Sequence, residues 1–245
     1  MRGILVEKTG GTEVLQFRTD LPVPEPKEGE ILVKNDYIGV NFIDTGLYPS
    51  LKPEILGREA AGNIIALGPN VPSSFSPGDR VAWLGTGAYA EYSSISAAKA
   101  VHIPSTVSSS DAAAALLQGL TALTLVREAY AVKAGEFVLV HAAAGGVGLW
   151  LCQILKSIGA RTIGTVSTTA KAELAKVNGA EFVVEYSRED VVQRVKEITR
   201  GEGVAAVFDG VGKDTFEADL EVVARKGTVV SFGNASGPVP PLEIS

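Results

Sequence analysis

The sequence predicts an α/β protein, with a doubly wound parallel sheet in its second half and a compact β domain in its first. Three observations carry this expectation. From Phe137 onward, short apolar segments alternate with helical ones, the pattern that builds a parallel sheet with helices on its faces. The first of these segments enters a loop of small residues, and a helix leaves it. Before Ser108 the chain instead shows short β-rich runs set off by glycine and proline.

Taken in order, residues 31–34 (Ile-Leu-Val-Lys), 63–67 (Asn-Ile-Ile-Ala-Leu) and 80–84 (Arg-Val-Ala-Trp-Leu) read as strands. Residues 22–26 and 68–72, rich in proline and glycine, read as turns between them. Ser108-Ser109-Ser110-Asp111 offers N-caps to the strong helix formers of residues 112–117. The domain boundary is placed there, dividing the chain into residues 1–110 and 111–245. Beyond it, strands are expected at 137–140, 162–166, 182–186, 205–209 and 228–232, with helices around 149–158, 170–177, 189–199 and 215–224. Asn178-Gly179 and Gly201 end two of these helices, and Ser187 with Asp190 reads as a capping box for one of them. A dinucleotide-binding sheet of the usual kind has six strands. Five of the six are present here.

The chemistry centres on His141-Ala142-Ala143-Ala144-Gly145-Gly146-Val147-Gly148. Ala143, Gly145 and Gly148 occupy the three glycine positions of a dinucleotide fingerprint, with alanine at the first. A side chain at Gly145 would hold the backbone away from a pyrophosphate, and Gly148 lets the helix approach the strand. Free N–H groups at the helix start, including those of Gly146 and Val147, face the anion. An NAD-preferring site carries an acid about 20 residues later. Here the second strand runs out through Gly164-Thr165-Val166-Ser167-Thr168-Thr169-Ala170-Lys171 without one. Hydroxyls and a lysine suit a 2′-phosphate that a carboxylate would repel, so Ser167, Thr168 and Lys171 are candidates for reading NADPH. The competing reading of Lys171 is a solvated lysine in a helix's first turn. Tyr186 ends the third strand within reach of the same phosphate or the adenine.

The bulk numbers narrow the partners. With 22 basic and 28 acidic residues the net charge is 22 − 28 = −6, which disfavours nucleic acid and anionic membranes as main partners. Cys152 is the only cysteine, so neither an intramolecular disulfide nor a cysteine-cluster zinc lobe can form. The first residues lack the apolar core of a signal peptide, and a soluble, cytoplasmic protein is expected. The most membrane-like run, residues 137–155, contains the glycine loop and reads better as a buried strand and helix.

With these residues in view, the chain resembles the zeta-crystallin-type quinone oxidoreductases, a zinc-free branch of the medium-chain dehydrogenase/reductases. The resemblance extends over essentially the whole chain. It rests on Gly39-Val40-Asn41-Phe42-Ile43-Asp44-Thr45, Gly57-Arg58-Glu59-Ala60-Ala61-Gly62, Gln118-Gly119-Leu120-Thr121-Ala122, the glycine loop, and Ser231-Phe232-Gly233-Asn234-Ala235-Ser236-Gly237. It implies a GroES-like first domain, a Rossmann second domain and an active cleft between them. It implies nicotinamide contacts from Asn41, Phe42, Asp44, Thr121, Phe232, Gly233, Asn234 and Ala235, adds Gly210 to the cofactor set, and assigns the 2′-phosphate end to Ser167, Lys171 and Tyr186. Zinc relatives carry cysteine where Asn41 stands and histidine where Arg58 stands, so no catalytic metal is expected; His102 and His141 read as structural.

The implied reaction is reduction of a quinone by NADPH, the protein supplying orientation and a dry, polar cleft. No acid/base pair stands out, and Asn41, Asp44 and Tyr48 are candidates near the reacting atoms. Tyr48 reads equally well as a core residue, and the segment between Thr45 and Tyr48 is shorter than in the family. Two other readings compete: an NADPH-dependent enoyl or enone reductase, and a non-catalytic NADPH-binding protein. Relatives continue past Ser245 with the last sheet strand, which also forms their homodimer, and then with segments closing the first domain. A chain of these 245 residues is therefore expected to lack the usual dimer and to work poorly.

Overall fold

The computed structural model describes residues 1–45 and 53–242; Tyr48 lies outside the described residues. The chain forms two compact units, Met1–Leu117 and Gln118–Ser245.

In the first unit, β1 (Gly3–Val6), β2 (Gln16–Arg18), β3 (Glu30–Gly39), β4 (Glu54–Ile55), β5 (Glu59–Leu67), β6 (Arg80–Leu84), β7 (Tyr92–Ser96) and β8 (Ala100–His102) make two antiparallel sheets. Their orders are β2-β1-β4 and β7-β3-β5-β6-β8. The larger sheet alternates inward and outward along its strands, so Ile31 and Val33 of β3, Ile64 of β5, and Val81 and Trp83 of β6 meet in one core. Each is at most 1% exposed, and each such side chain contributes roughly 1.5–3 kcal/mol by burial. The expected strand at 80–84 matches β6, whereas β3 and β5 extend well beyond the apolar runs that announced them.

A helix, α1 (Ser109–Thr124), carries the chain from one unit into the next and continues as a wider turn over Leu125–Ala129. The Ser108 hydroxyl accepts the Asp111 N–H at 3.0 Å and donates to the Asp111 carboxylate at 2.6 Å, a reciprocal cap at the helix start.

In the second unit β9 (Phe137–Val140), α2 (Gly146–Ile158), β10 (Arg161–Val166), α3 (Thr169–Val177), β11 (Phe182–Glu185), α4 (Val191–Ile198), β12 (Val204–Asp209), α5 (Phe216–Val222) and β13 (Val223–Ser231) alternate as expected. All four strand pairings are parallel, in the order β11-β10-β9-β12-β13. Numbered within this unit the order is 3-2-1-4-5, so the chain reverses its winding between β9 and β12. Alternate residues of the same strands feed two cores. Val138, Val140, Ala206 and Phe208 pack with Leu151, Cys152 and Leu155 of α2, while Leu139, Ile163 and Val207 pack with Val195 of α4 and Val222 of α5. This two-sided burial is why the strands read as continuous apolar runs. Gly159 ends α2 at φ 85°, a left-handed conformation that glycine adopts without strain.

Two local expectations change. Asp190 alone caps α4, accepting the Gln193 N–H at 2.8 Å, while the Ser187 hydroxyl donates to the Ser167 carbonyl. The last strand starts at Val223 rather than near 228, because an irregularity at Lys226 (φ 69°) and Gly227 interrupts its period without ending it.

Candidate functional site

A doubly wound sheet opens a crevice at the carboxyl ends of its strands where the winding reverses. Here that place lies past Val140 of β9 and Asp209 of β12. A cavity of about 360 Å³ sits there, lined by the loop after β9 (His141, Ala142, Ala144, Gly145), the end of β10 and its continuation (Thr165, Val166, Ser167, Lys171), and residues 211–218. Tyr186 and Val191 complete the lining. Its size falls in the range of roughly 300–1,000 Å³ typical of small-molecule sites.

The glycine loop is shaped for an anion. Ala142 takes φ 50°, its carbonyl accepts the Gly145 N–H at 2.8 Å, and Gly145 becomes the N-cap of α2. The first N–H groups of a helix have no partner within it, and Gly145 and Gly146 are exposed. A Cβ on Gly148 would stand 2.3 Å from the Ala142 oxygen and 2.8 Å from Ala143 backbone atoms, so only glycine lets α2 approach this loop. Ala143 at the first fingerprint position is fully buried, and Gly164 on β10 leaves the room its methyl group needs: a Cβ there would come within 2.6 Å.

At the far end of the cavity the Lys171 ammonium lies 3.2 Å from the Ser167 hydroxyl. Thr168, the hydroxyl residue after Ser167, caps α3 by accepting the Lys171 N–H. No carboxylate follows β10 in the lining; the acid that reaches the cavity, Asp214, comes from the opposite wall. These residues fit a phosphorylated dinucleotide: exposed N–H groups at one end, a lysine and a hydroxyl at the other, and a glycine at the point of closest approach.

Beneath the cavity lies a buried polar layer that local sequence patterns do not announce. His141, in the lining, is 4% exposed. Its Nδ1 is 2.9 Å from Thr165 Oγ1 and its Nε2 is 2.7 Å from Asp219 Oδ1. Asp209, at the end of β12, accepts from the Val211 and Gly212 N–H groups and from the Thr215 hydroxyl. Burial pushes the Asp219 carboxyl above the usual carboxylate range, and neighbouring Asp209 adds to the shift; the hydrogen bond and charge of His141 oppose it.

Gly210 and the 232–235 turn come together nearby in the same unit. Phe232 donates its N–H to the Asp209 carbonyl, Ala235 donates to Gly210, and a Cβ on Gly233 would stand 2.7 Å from the Gly210 oxygen. Thr121 lies on α1, and Gly146, Val147 and Gly148 form the first turn of α2.

The first unit gathers its own polar cluster. Asn41 donates from its side chain to Glu59 Oε1 at 2.7 Å, and its N–H donates to Asp44 Oδ2 at 2.9 Å. Tyr89 donates to the same Asp44 oxygen at 2.6 Å, and the Leu117 N–H donates to Glu59 Oε2 at 2.7 Å. Burial pushes the Glu59 carboxyl up, against the lowering effect of the Asn41 and Leu117 donors. Asn41, Asp44 and Glu59 are buried, whereas Phe42 is 66% exposed. Glu59 and Tyr89 were missed from sequence, although an acid opening an otherwise apolar strand was the available signal. Arg58 and Asn41 present a guanidinium and an amide rather than metal-ligating groups. His102 stacks on Phe75 with ring centres 4.7 Å apart and pairs with Asp79, on the edge of the first unit.

Comparison with known proteins agrees with these features. Residues 27–105 match the alcohol dehydrogenase GroES-like domain, and residues 146–245 match the zinc-binding dehydrogenase family. A quinone oxidoreductase of Pseudomonas aeruginosa is 48% identical over 237 residues, spanning 94% of this chain and 72% of that protein. The crystal structure of Escherichia coli quinone oxidoreductase complexed with NADPH superposes with a TM-score of 0.95 at 46% identity, covering 99% of this chain and 76% of that one. A 2-haloacrylate reductase of Burkholderia sp. is 35% identical over 252 residues, covering 98% of this chain and 75% of that protein.

Proposed function

As the chain belongs to the quinone oxidoreductases of the medium-chain dehydrogenase/reductase family, we propose that its cavity holds NADPH and that its reaction is the reduction of quinones. The protein is an oxidoreductase of the zinc-independent kind, with NADPH as cofactor and a small molecule as substrate. The observation that carries the cofactor reading is the pairing of Lys171 Nζ with Ser167 Oγ at the rim of a cavity whose other end is a helix N-terminus.

In this reading the N–H groups of Gly146, Val147 and Gly148 at the start of α2 take the pyrophosphate beside Gly145, helped by the positive end of the helix. Lys171 and Ser167 take the 2′-phosphate, and Tyr186 lies against the same end. Thr168 shapes this end by capping α3. For the nicotinamide, Gly210, Thr121 and the turn of Phe232, Gly233, Asn234 and Ala235 serve in the second unit; for Asn41, Phe42 and Asp44 of the first unit, the family resemblance is what supports a nicotinamide role. Bound NADPH supplies the hydride. Asn41 and Asp44 orient rather than transfer protons: Asn41 is tied to Glu59, and Asp44 already accepts from Tyr89 and the Asn41 backbone. A quinone's own electron deficiency supplies the driving force, so a site that orients and excludes water suffices. The lone, buried Cys152 suits a reducing compartment, and we place the protein in the cytoplasm.

The similarity to a 2-haloacrylate reductase favours a second reading, reduction of an activated carbon–carbon double bond with the same cofactor. Turnover on ortho-quinones and on 2-alkenals, measured side by side as NADPH oxidation, separates the two. Faster turnover on quinones supports the first reading; turnover on alkenals alone overturns it.

A further inference from the structure

The buried layer under the cavity contains an oxygen with nothing to accept. Asp219 is fully buried, its Oδ1 accepts from His141, and no donor reaches its Oδ2 among the described residues. Asp209, equally buried, lies beside it. We propose that Asp219 carries a proton on Oδ2, shared with Asp209, so that one hydrogen-bonded chain bearing a single negative charge, Asp209–Asp219–His141–Thr165, positions the walls of the nucleotide cavity. The consequence for NADPH rests on the cofactor reading above; the proton assignment does not.

The two carboxyls are unequal in a way that decides where the proton sits. Asp209 accepts from three donors, at 2.7 Å from Val211 N–H, 2.9 Å from the Thr215 hydroxyl, and 3.1 Å and 3.2 Å from Gly212 N–H to its two oxygens. Hydrogen-bond donors of this kind favour the charged form of a carboxyl group. Asp219 has one donor among the described residues and is fully buried. Two adjoining carboxyls in a buried site do not both ionise, and the less supported one keeps the proton. The ionisable groups that face Asp219 are His141, from the loop after β9, and Asp209, from the end of β12. With Oδ2 a hydroxyl donating to Asp209, His141 donates from Nε2 to Oδ1 and accepts at Nδ1 from the Thr165 hydroxyl. Every hydrogen then has a place. The alternative, an imidazolium facing a carboxylate, leaves Oδ2 bare in the core, which is costly.

The placement of this chain makes it a positioning device. His141 opens the glycine loop and Thr165 lies two residues before Ser167. Asp219 follows Ala218 on α5, and Asp209 ties down the turn that carries Val211 and Thr215. Three of the segments that line the cavity are therefore joined by one buried network. The proton also leaves a single negative charge, rather than two, under a site meant for phosphates.

The test uses the whole protein and two variants. Asp219→Asn keeps an oxygen for His141 and offers an N–H to Asp209, as a protonated carboxyl does; Asp219→Ala keeps neither. Infrared difference spectra of wild type against D219N at neutral pH should show a protonated-carboxyl C=O band present in the first and lost in the second; subtraction removes the contribution of Glu59. Calorimetric titration should show D219N binding NADPH at least tenfold more tightly than D219A. Absence of the band overturns the assignment, as does a D219N protein that binds as weakly as D219A or fails to fold. Should D219A itself fail to fold, Thr165→Val replaces it, with a weaker but measurable loss expected. If wild type shows the band but binds no NADPH, the proton assignment stands and the cofactor reading falls.

Discussion

Replacing Lys171 by alanine should weaken NADPH binding without harming the fold. Lys171 is the third residue of α3's first turn, where a cation opposes the helix dipole by about 0.3–1 kcal/mol. The helix start is already capped by Thr168, so the lysine contributes nothing there that alanine lacks. A charge-assisted hydrogen bond to a phosphate is worth roughly 1.5–3 kcal/mol. Lys171 is exposed, and salt screens such a contact over about 8 Å at physiological ionic strength, which favours the lower end. A loss of about 1.4 kcal/mol is a tenfold rise in Kd. We therefore expect calorimetry on Lys171→Ala to give an NADPH Kd about tenfold higher, an NADH Kd unchanged, and a melting temperature no lower than wild type. Equal losses for both cofactors, or a clearly lower melting temperature, would refute the reasoning and make Lys171 a structural residue.

Other substitutions probe the remaining parts of the site. Gly148→Ala puts a methyl group into the backbone of Ala142 and Ala143; overpacking of this kind costs about 1–3 kcal/mol, and both urea denaturation and NADPH titration should register it, whereas Gly135→Ala, with open space around it but φ 83°, should spare cofactor binding. Cys152 is buried with its thiol pushed up to about 11, so thiol reagents should modify it only in denaturant; rapid labelling of the folded protein would contradict its burial. Asp219 is raised above its unfolded value, so the folded state holds the extra proton between the two values. Its contribution favours the fold on the acid side of that window and fades as pH rises. Relative to D219N, wild type should lose up to about 1.4 kcal/mol of unfolding free energy per pH unit there. A flat difference across pH 4–8 would show that Asp219 does not titrate between the two states.

The second unit was legible because its strands are buried on both faces, which leaves uninterrupted apolar runs such as Phe137–Val140 for the eye to find. Boundaries blurred where glycine intervened. The sequence pattern starts the helix after the loop at Leu149, yet Gly146, Val147 and Gly148 already form its first turn, glycine being a poor helix signal that serves here for close approach. The strands β1, β2, β4, β7 and β8 escaped because they are short, and β7 (Tyr-Ser-Ser-Ile-Ser) is mostly polar. Site residues supplied by the loop pattern, Gly145, Ser167, Lys171 and Tyr186, do line one cavity. Asp219, by contrast, meets His141 across 78 positions of chain, and Glu59 meets Asn41 across 18. Such pairs exist only after the sheet has formed, so no local spacing announces them.

The most direct measurement is quinone-dependent oxidation of NADPH, followed at 25 °C with an ortho-quinone, in parallel with NADH and in the presence of a strong chelator. We expect turnover that depends on the quinone, a kcat/KM for NADPH about tenfold or more above that for NADH, and no change on chelation. No quinone-dependent oxidation of NADPH, or activity that disappears with a chelated zinc ion, would contradict it.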